Sequence, residues 1–152
     1  MRKQIIERGP KASPPEGTWL DLEQLARVEI TSETANHPIE AALSDGPGWR
    51  ADQPGEQTVR LLFDTPVRLR RIHLLYEEDA QERTQEFVLR WSGDGGRSYR
   101  EIVRQQYHFS PPAREVEDYG VDLDPVSALE LSIVPSISGG SARASLAELR
   151  LA

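Results

Sequence analysis

No cysteine occurs anywhere in the 152 residues. Disulfides, a thiol nucleophile and thiolate metal sites are thereby excluded together. Small secreted domains often depend on disulfides, so a cytoplasmic protein is expected. Residues 1–15 include basic side chains but no apolar stretch of the kind a secretory leader uses. No apolar run approaches the ~20 residues that a membrane-spanning helix needs, and no membrane partner is expected. Cations are in the minority: 18 Lys and Arg face 25 Asp and Glu, for a formal net charge of -7. A nucleic-acid binder draws phosphate to a basic face, so no nucleic-acid partner is expected either.

Catalytic constellations are missing as well. His37, His73 and His108 are the three histidines, and they lack metal-ligand spacing. There is no nucleophile elbow and no glycine loop built to cradle phosphate. The expectation is a protein that is not an enzyme.

What the chain does have is short-range alternation. Val28 and Ile30 share one face. Val59, Leu61 and Phe63 alternate with Thr58, Arg60 and Asp64, and Pro66 follows at an expected turn. Ile72, Leu74 and Tyr76 alternate with Arg71, His73 and Leu75. Phe87, Leu89 and Trp91 repeat the pattern, as do Tyr119, Val121 and Leu123, then Leu129, Leu131 and Ile133, then Leu149 and Leu151. Period-two alternation marks half-buried strands. Eleven Gly and eleven Pro fall mostly between these runs, which suits an all-β sandwich or barrel. Residues 1–18, broken by Gly9, Pro10, Pro14, Pro15 and Gly17, read as an N-terminal arm. Residues 19–152 read as one domain. A single helical turn is expected near residues 19–25, with Asp21 at its start, and Trp19 is placed to pin the arm. Residues 31–57, 77–85 and 105–118 read as long connections, where binding residues tend to sit on β scaffolds.

Three segments carry a family resemblance. The first holds His37-Pro38-Ile39-Glu40, Ala42-Leu43, Asp45-Gly46 and Trp49. The second is the strand and turn Phe87-Val88-Leu89-Arg90-Trp91-Ser92-Gly93-Asp94-Gly95. The third closes the chain with Ala144-Ser145-Leu146-Ala147-Glu148-Leu149. In this order, over about residues 26–152, they resemble the discoidin, or coagulation factor 5/8 type C, superfamily, also called galactose-binding-like. The resemblance implies a jelly-roll β-sandwich of about eight mainly antiparallel strands. It implies a non-catalytic module that binds a carbohydrate through loops at one end. A cytoplasmic protein-interaction module on the same fold is the alternative. In resembling sugar-binding modules, residues matching Asp45 and Glu148 help hold a structural calcium. Otherwise Asp45 caps its turn and Glu148 pairs with an arginine. No other cofactor is implied.

Five residues stand out as ligand contacts. Arg50 and Arg83 offer planar donors to carboxylates, phosphates or hydroxyls, or else pair with nearby acids. Tyr107, His108 and Phe109, followed by Pro111 and Pro112, read as a rigid aromatic loop that suits sugar faces, or else as a small core beneath that loop. Trp49 and Trp91 read as core. Ser92, Asp94 and Ser98 match the Asp-box of sialidases, and one copy signals a tight turn. The acidic run Glu77-Glu78-Asp79 with Glu82 reads as a solvated loop.

Overall fold

Strands with one dry face must close on a second sheet, and the chain does this with two long strands that each serve both sheets. The computed structural model describes residues 19–152. The expected arm at residues 1–18 lies outside the described residues. In order come α1 (Leu22–Leu25), β1 (Ala26–Ile30), α2 (Glu40–Leu43), β2 (Trp49–Pro54), β3 (Gln57–Glu78), β4 (Arg83–Ser92), β5 (Arg100–Phe109), β6 (Ala113–Val134), β7 (Arg143–Leu146) and β8 (Glu148–Leu151). Every pairing between them is antiparallel. The helical turn α1 falls where expected, after Asp21.

β3 and β6 span 22 residues each. Residues 57–62 of β3 pair with 128–133 of β6 inside a five-stranded layer ordered β1-β3-β6-β4-β5. Residues 71–78 of β3 then pair with 113–120 of β6, and β8 lies along the other side of β3. The ladder slips between Leu62 and Arg71. Pro66 and Pro125 both fall in this corner, where a missing N–H costs no ladder bond. The expected turn at Pro66 is therefore a bend within one continuous strand.

The layers meet through Leu61, Leu89 and Leu131 on one side and Ile72, Leu74 and Leu149 on the other, all within one buried cluster. Tyr76 crosses to Phe87 with ring centroids 5.5 Å apart. Each such aliphatic side chain contributes about 1.5–3 kcal/mol by leaving water. Trp19 lies outside this core. It sits under the Arg71 guanidinium at 5.0 Å and beside His73, while Leu20 N–H donates to Leu151 O at 2.8 Å.

Two expected loops contain regular structure, and one of them, residues 105–118, is largely strand. Residues 31–57 contain α2 and β2, and residues 105–118 contain the ends of β5 and β6 joined by only three residues. β2 and β7 form a separate two-stranded ribbon.

Candidate functional site

The ribbon sorts its side chains by parity. Trp49 and Ala51 of β2 and Ala144 and Leu146 of β7 are buried. Arg50 and Arg143, one residue away in each strand, are exposed, and Ser145 lies opposite Arg50 in the register. The outer face of the ribbon therefore carries Arg50 and Arg143, with the exposed Asp52 two residues beyond Arg50. Gly48 makes the entry to β2 workable. Its φ is +95°, and a Cβ there would sit 2.8 Å from Leu146 O, so only glycine fits.

Across from the ribbon stands the β3–β4 loop, residues 79–82, with Glu77 and Glu78 at its root. Between the two lies a cleft of about 490 Å³, lined by His37, Arg50, Arg143 and Ser145 on one side and Glu77, Asp79 and Gln81 on the other. Trp49 lies at its base but is only 1% exposed, so it forms a floor and presents no open ring face. Its indole N–H donates to Ser32 O at 2.9 Å.

Backbone bonds set His37 beside Arg50. Arg50 N–H donates to His37 O at 3.1 Å, and Thr34 N–H donates to Arg50 O at 2.9 Å. The His37 Nδ1 lies 3.3 Å from Gly48 O. A carbonyl only accepts, so this contact places the proton on Nδ1 and leaves the neutral ring's Nε2 as an acceptor.

Arg83 holds the acidic wall in place. Its Nε donates to Glu78 at 2.6 Å, and its Nη1 donates to Pro135 O at 2.7 Å and Gln85 Oε1 at 3.2 Å. The guanidinium stacks 4.6 Å from the Phe109 ring centroid. The other Glu78 oxygen accepts Ala80 N–H at 2.9 Å and Gln81 N–H at 3.4 Å. Burial alone would raise the Glu78 carboxyl, but Arg83 and these amides outweigh it and hold the group below its ordinary pKa.

Of the five expected ligand contacts, only Arg50 lines the cleft. Arg83 is buried, with its side chain 3% exposed, and its donors face the protein. Phe109 is fully buried. Tyr107 packs edge-on against Phe109 at 5.0 Å, and the Glu115 carboxylate beside its hydroxyl raises its pKa. His108 is exposed, but Thr84 Oγ1 and Glu82 Oε1 lie 2.8 and 2.7 Å from its two ring nitrogens. These aromatics close β5; they are not on a loop, because strand pairing with β4 runs through Phe109.

Asp45 and Glu148 each lie beside a different side chain. Asp45 is fully exposed, with Arg150 3.7 Å away, and Glu148 lies 3.5 Å from His73. Among the described residues, no three His, Asp or Glu gather as a metal set. A calcium ion needs six or more oxygens, and the two carboxylates are engaged separately, beside Arg150 and His73. The Asp-box closes its turn: Asp94 accepts Ser92 Oγ–H at 2.7 Å and Ser98 N–H at 2.9 Å. Ser98 and Ser92 hold its carboxyl far below the usual carboxylate range.

His37 and Arg143 were not among the expected contacts, and the acidic run at the root of the β3–β4 loop, expected as a solvated loop, lines the cleft through Glu77, Glu78 and Asp79. The alternation Ala142, Arg143, Ala144, Ser145 is a legible signal, since small apolar residues inward put Arg143 and Ser145 outward together.

No sequence-family model and no curated protein matches the chain. Solved structures do. CpGH89CBM32-5 from Clostridium perfringens, in complex with GalNAc-β-1,3-galactose, superposes with a TM-score of 0.66 at 16% identity, covering 88% of this chain and 99% of that one. The family 32 CBM of C. perfringens NanJ, in complex with galactose, gives 0.63 at 14% identity, covering 88% and 97%. The CBM32 of AlyQ, in complex with 4,5-unsaturated mannuronic acid, gives 0.61 at 15% identity, covering 84% and 95%. The fold is thus the galactose-binding-like, discoidin-like jelly roll that the sequence resembles.

Proposed function

We propose that this is a non-catalytic carbohydrate-binding module, and that the sugar sits in the cleft between the ribbon and the β3–β4 loop. One observation carries the reading. Arg50 and Arg143 on one wall face Glu77 and Asp79 on the other, yet none of the four makes an ion pair among the described residues. A ligand between such walls must accept hydrogen bonds on one side and donate them on the other. A sugar hydroxyl does both. The His37 ring adds a polar group beside Arg50, and the volume lies within the range of small-molecule sites.

The similar structures support the choice of ligand class. Their sugars are galactose, a GalNAc-galactose disaccharide and an unsaturated uronic acid, and a further neighbour is a pectin-binding module. Galactose, GalNAc and oligogalacturonate are the first probes.

A glycan-array screen followed by calorimetry tests the reading. The expected result is saturable binding of a galactose-configured or uronate sugar, recovered unchanged, and weakened in Arg50→Ala and Arg143→Ala. Binding to no sugar, or binding indifferent to both variants, would overturn it. A protein partner captured through the same cleft would then take its place.

A further inference from the structure

We infer that Arg150 is a built-in cation that holds the loop after α2 closed and, through it, sets His37, so that the cleft is shaped without a bound metal. The binding half of this inference rests on the proposed cleft; the structural half does not.

A four-residue helical turn leaves its last carbonyls without partners inside the turn. In the last residues of α2, Ala42 O accepts Arg150 Nη1–H at 2.8 Å, and just beyond it Ser44 O accepts Nη2–H at 3.0 Å. Nη1 also reaches Leu149 O at 3.2 Å, and Asp45 Oδ1 stands 3.7 Å from Nη2. Three carbonyls and one carboxylate thus surround one guanidinium whose side chain is only 14% exposed. Hard oxygens of this kind are what a divalent cation takes in a loop. Here the planar fork of an arginine takes them. Two cations cannot share the place, and Glu148, at 3.5 Å from His73, does not turn toward it.

The loop then passes its geometry to the cleft. Gly46 N–H donates to Ser44 O at 2.9 Å, and Gly48 N–H donates to Ala41 O at 3.1 Å. A Cβ on Gly46 would lie 2.7 Å from Ala41 Cα, so the loop is folded tightly back on the turn. Gly48 O is the acceptor that fixes the His37 proton on Nδ1, and His37 O receives Arg50 N–H. Release of Ala42 O and Ser44 O frees the stretch that ends on Gly48. Arg150 touches no ligand; it is a positioning residue.

The test uses the full chain, with Arg150→Met, Arg150→Lys and calcium titrations. For Arg150→Met, Tm is expected to fall by roughly 5 °C, since each charge-assisted bond lost weighs on a domain of this size. The His37 ring nitrogen signals in a long-range proton–nitrogen spectrum are expected to move from one defined tautomer to an averaged pair. Sugar affinity is expected to fall about tenfold. Arg150→Lys keeps the charge without the fork, and is expected to recover part of the Tm and of the His37 signal. Wild-type protein is expected to show the same Tm in millimolar calcium and in chelator. A calcium-dependent rise in wild-type Tm would overturn the inference, and so would an unchanged His37 signal in both variants. If Arg150→Met does not fold, Arg150→Lys and the wild-type calcium titration still decide. If no sugar binds the wild type, the cleft reading fails while Tm and the His37 signal still judge Arg150.

Discussion

Two regions of the molecule present arginine next to apolar side chains, and they use it in opposite ways. At the start of β4, Arg83 is turned inward against Phe109, with Glu78, Gln85 and Pro135 taking its donors. On the ribbon, Arg50 and Arg143 are turned outward over a buried floor of Trp49 and Leu146, with no acid paired to either among the described residues. The first arginine is a strut for a loop; the others are donors left for something else. The residue type is the same, and what differs is strand parity and the presence of a fixed counter-charge.

Removing the strut is the hardest blow to this contrast. Arg83→Met leaves Glu78 partly buried without its cation, and an unpaired charge of that kind costs about 3 kcal/mol. Urea unfolding measures this, and the β3–β4 loop is expected to gain amide exchange at residues 79–82. A loss below about 1 kcal/mol would make Arg83 a dispensable surface group.

The ribbon arginines are expected to behave the other way. Arg50→Ala weakens sugar binding by roughly 10–100-fold, the weight of one charge-assisted hydrogen bond. Its unfolding free energy stays within about 0.5 kcal/mol of wild type. Calorimetry beside urea unfolding separates the two effects, and a fall in stability equal to that of Arg83→Met would erase the distinction.

Acid sharpens the comparison further. The folded pKa of Glu78 lies below its ordinary value of about 4.3. Above that ordinary value both folded and unfolded states are ionised, and the Arg83–Glu78 contribution is complete. As pH falls through it toward the lowered folded value, the unfolded chain takes up the proton first, and stability is lost. Glu78→Gln is therefore expected to flatten part of the acid side of the stability profile. A profile parallel to wild type would remove Glu78 from the strut.

The smallest expected effect concerns the aromatics. Tyr107→Phe keeps the ring on Phe109 and changes only a hydroxyl outside the cleft, so sugar affinity stays within about twofold. A tenfold loss would move the site to the end of β5.

The sandwich was legible because alternation in residues such as Val59, Leu61 and Phe63 reports burial directly. Continuity at Pro66 was not, since a proline signals a break in a ladder but not whether the strand resumes beyond it. Arg50, named because it lies beside a motif, lines the cleft. The burial of Arg83 was not legible, because it depends on Glu78 and Phe109, which pairing brings close from other strands. His37 and Arg143 were not named for a similar reason: they lie 106 positions apart in sequence, and the cleft joins them only once β2 pairs with β7. Asp45 and Glu148 matched a pattern, but the contacts of Arg150 with Ala42 O and Asp45 arise from residues more than 100 positions apart and were not legible.

The most direct measurement is an NMR titration of nitrogen-labelled protein with galactose and with oligogalacturonate. The account predicts amide shifts confined to residues 37, 50, 77–81 and 143–147. Shifts centred on residues 105–109, or saturable binding that leaves the cleft amides unmoved, would contradict it.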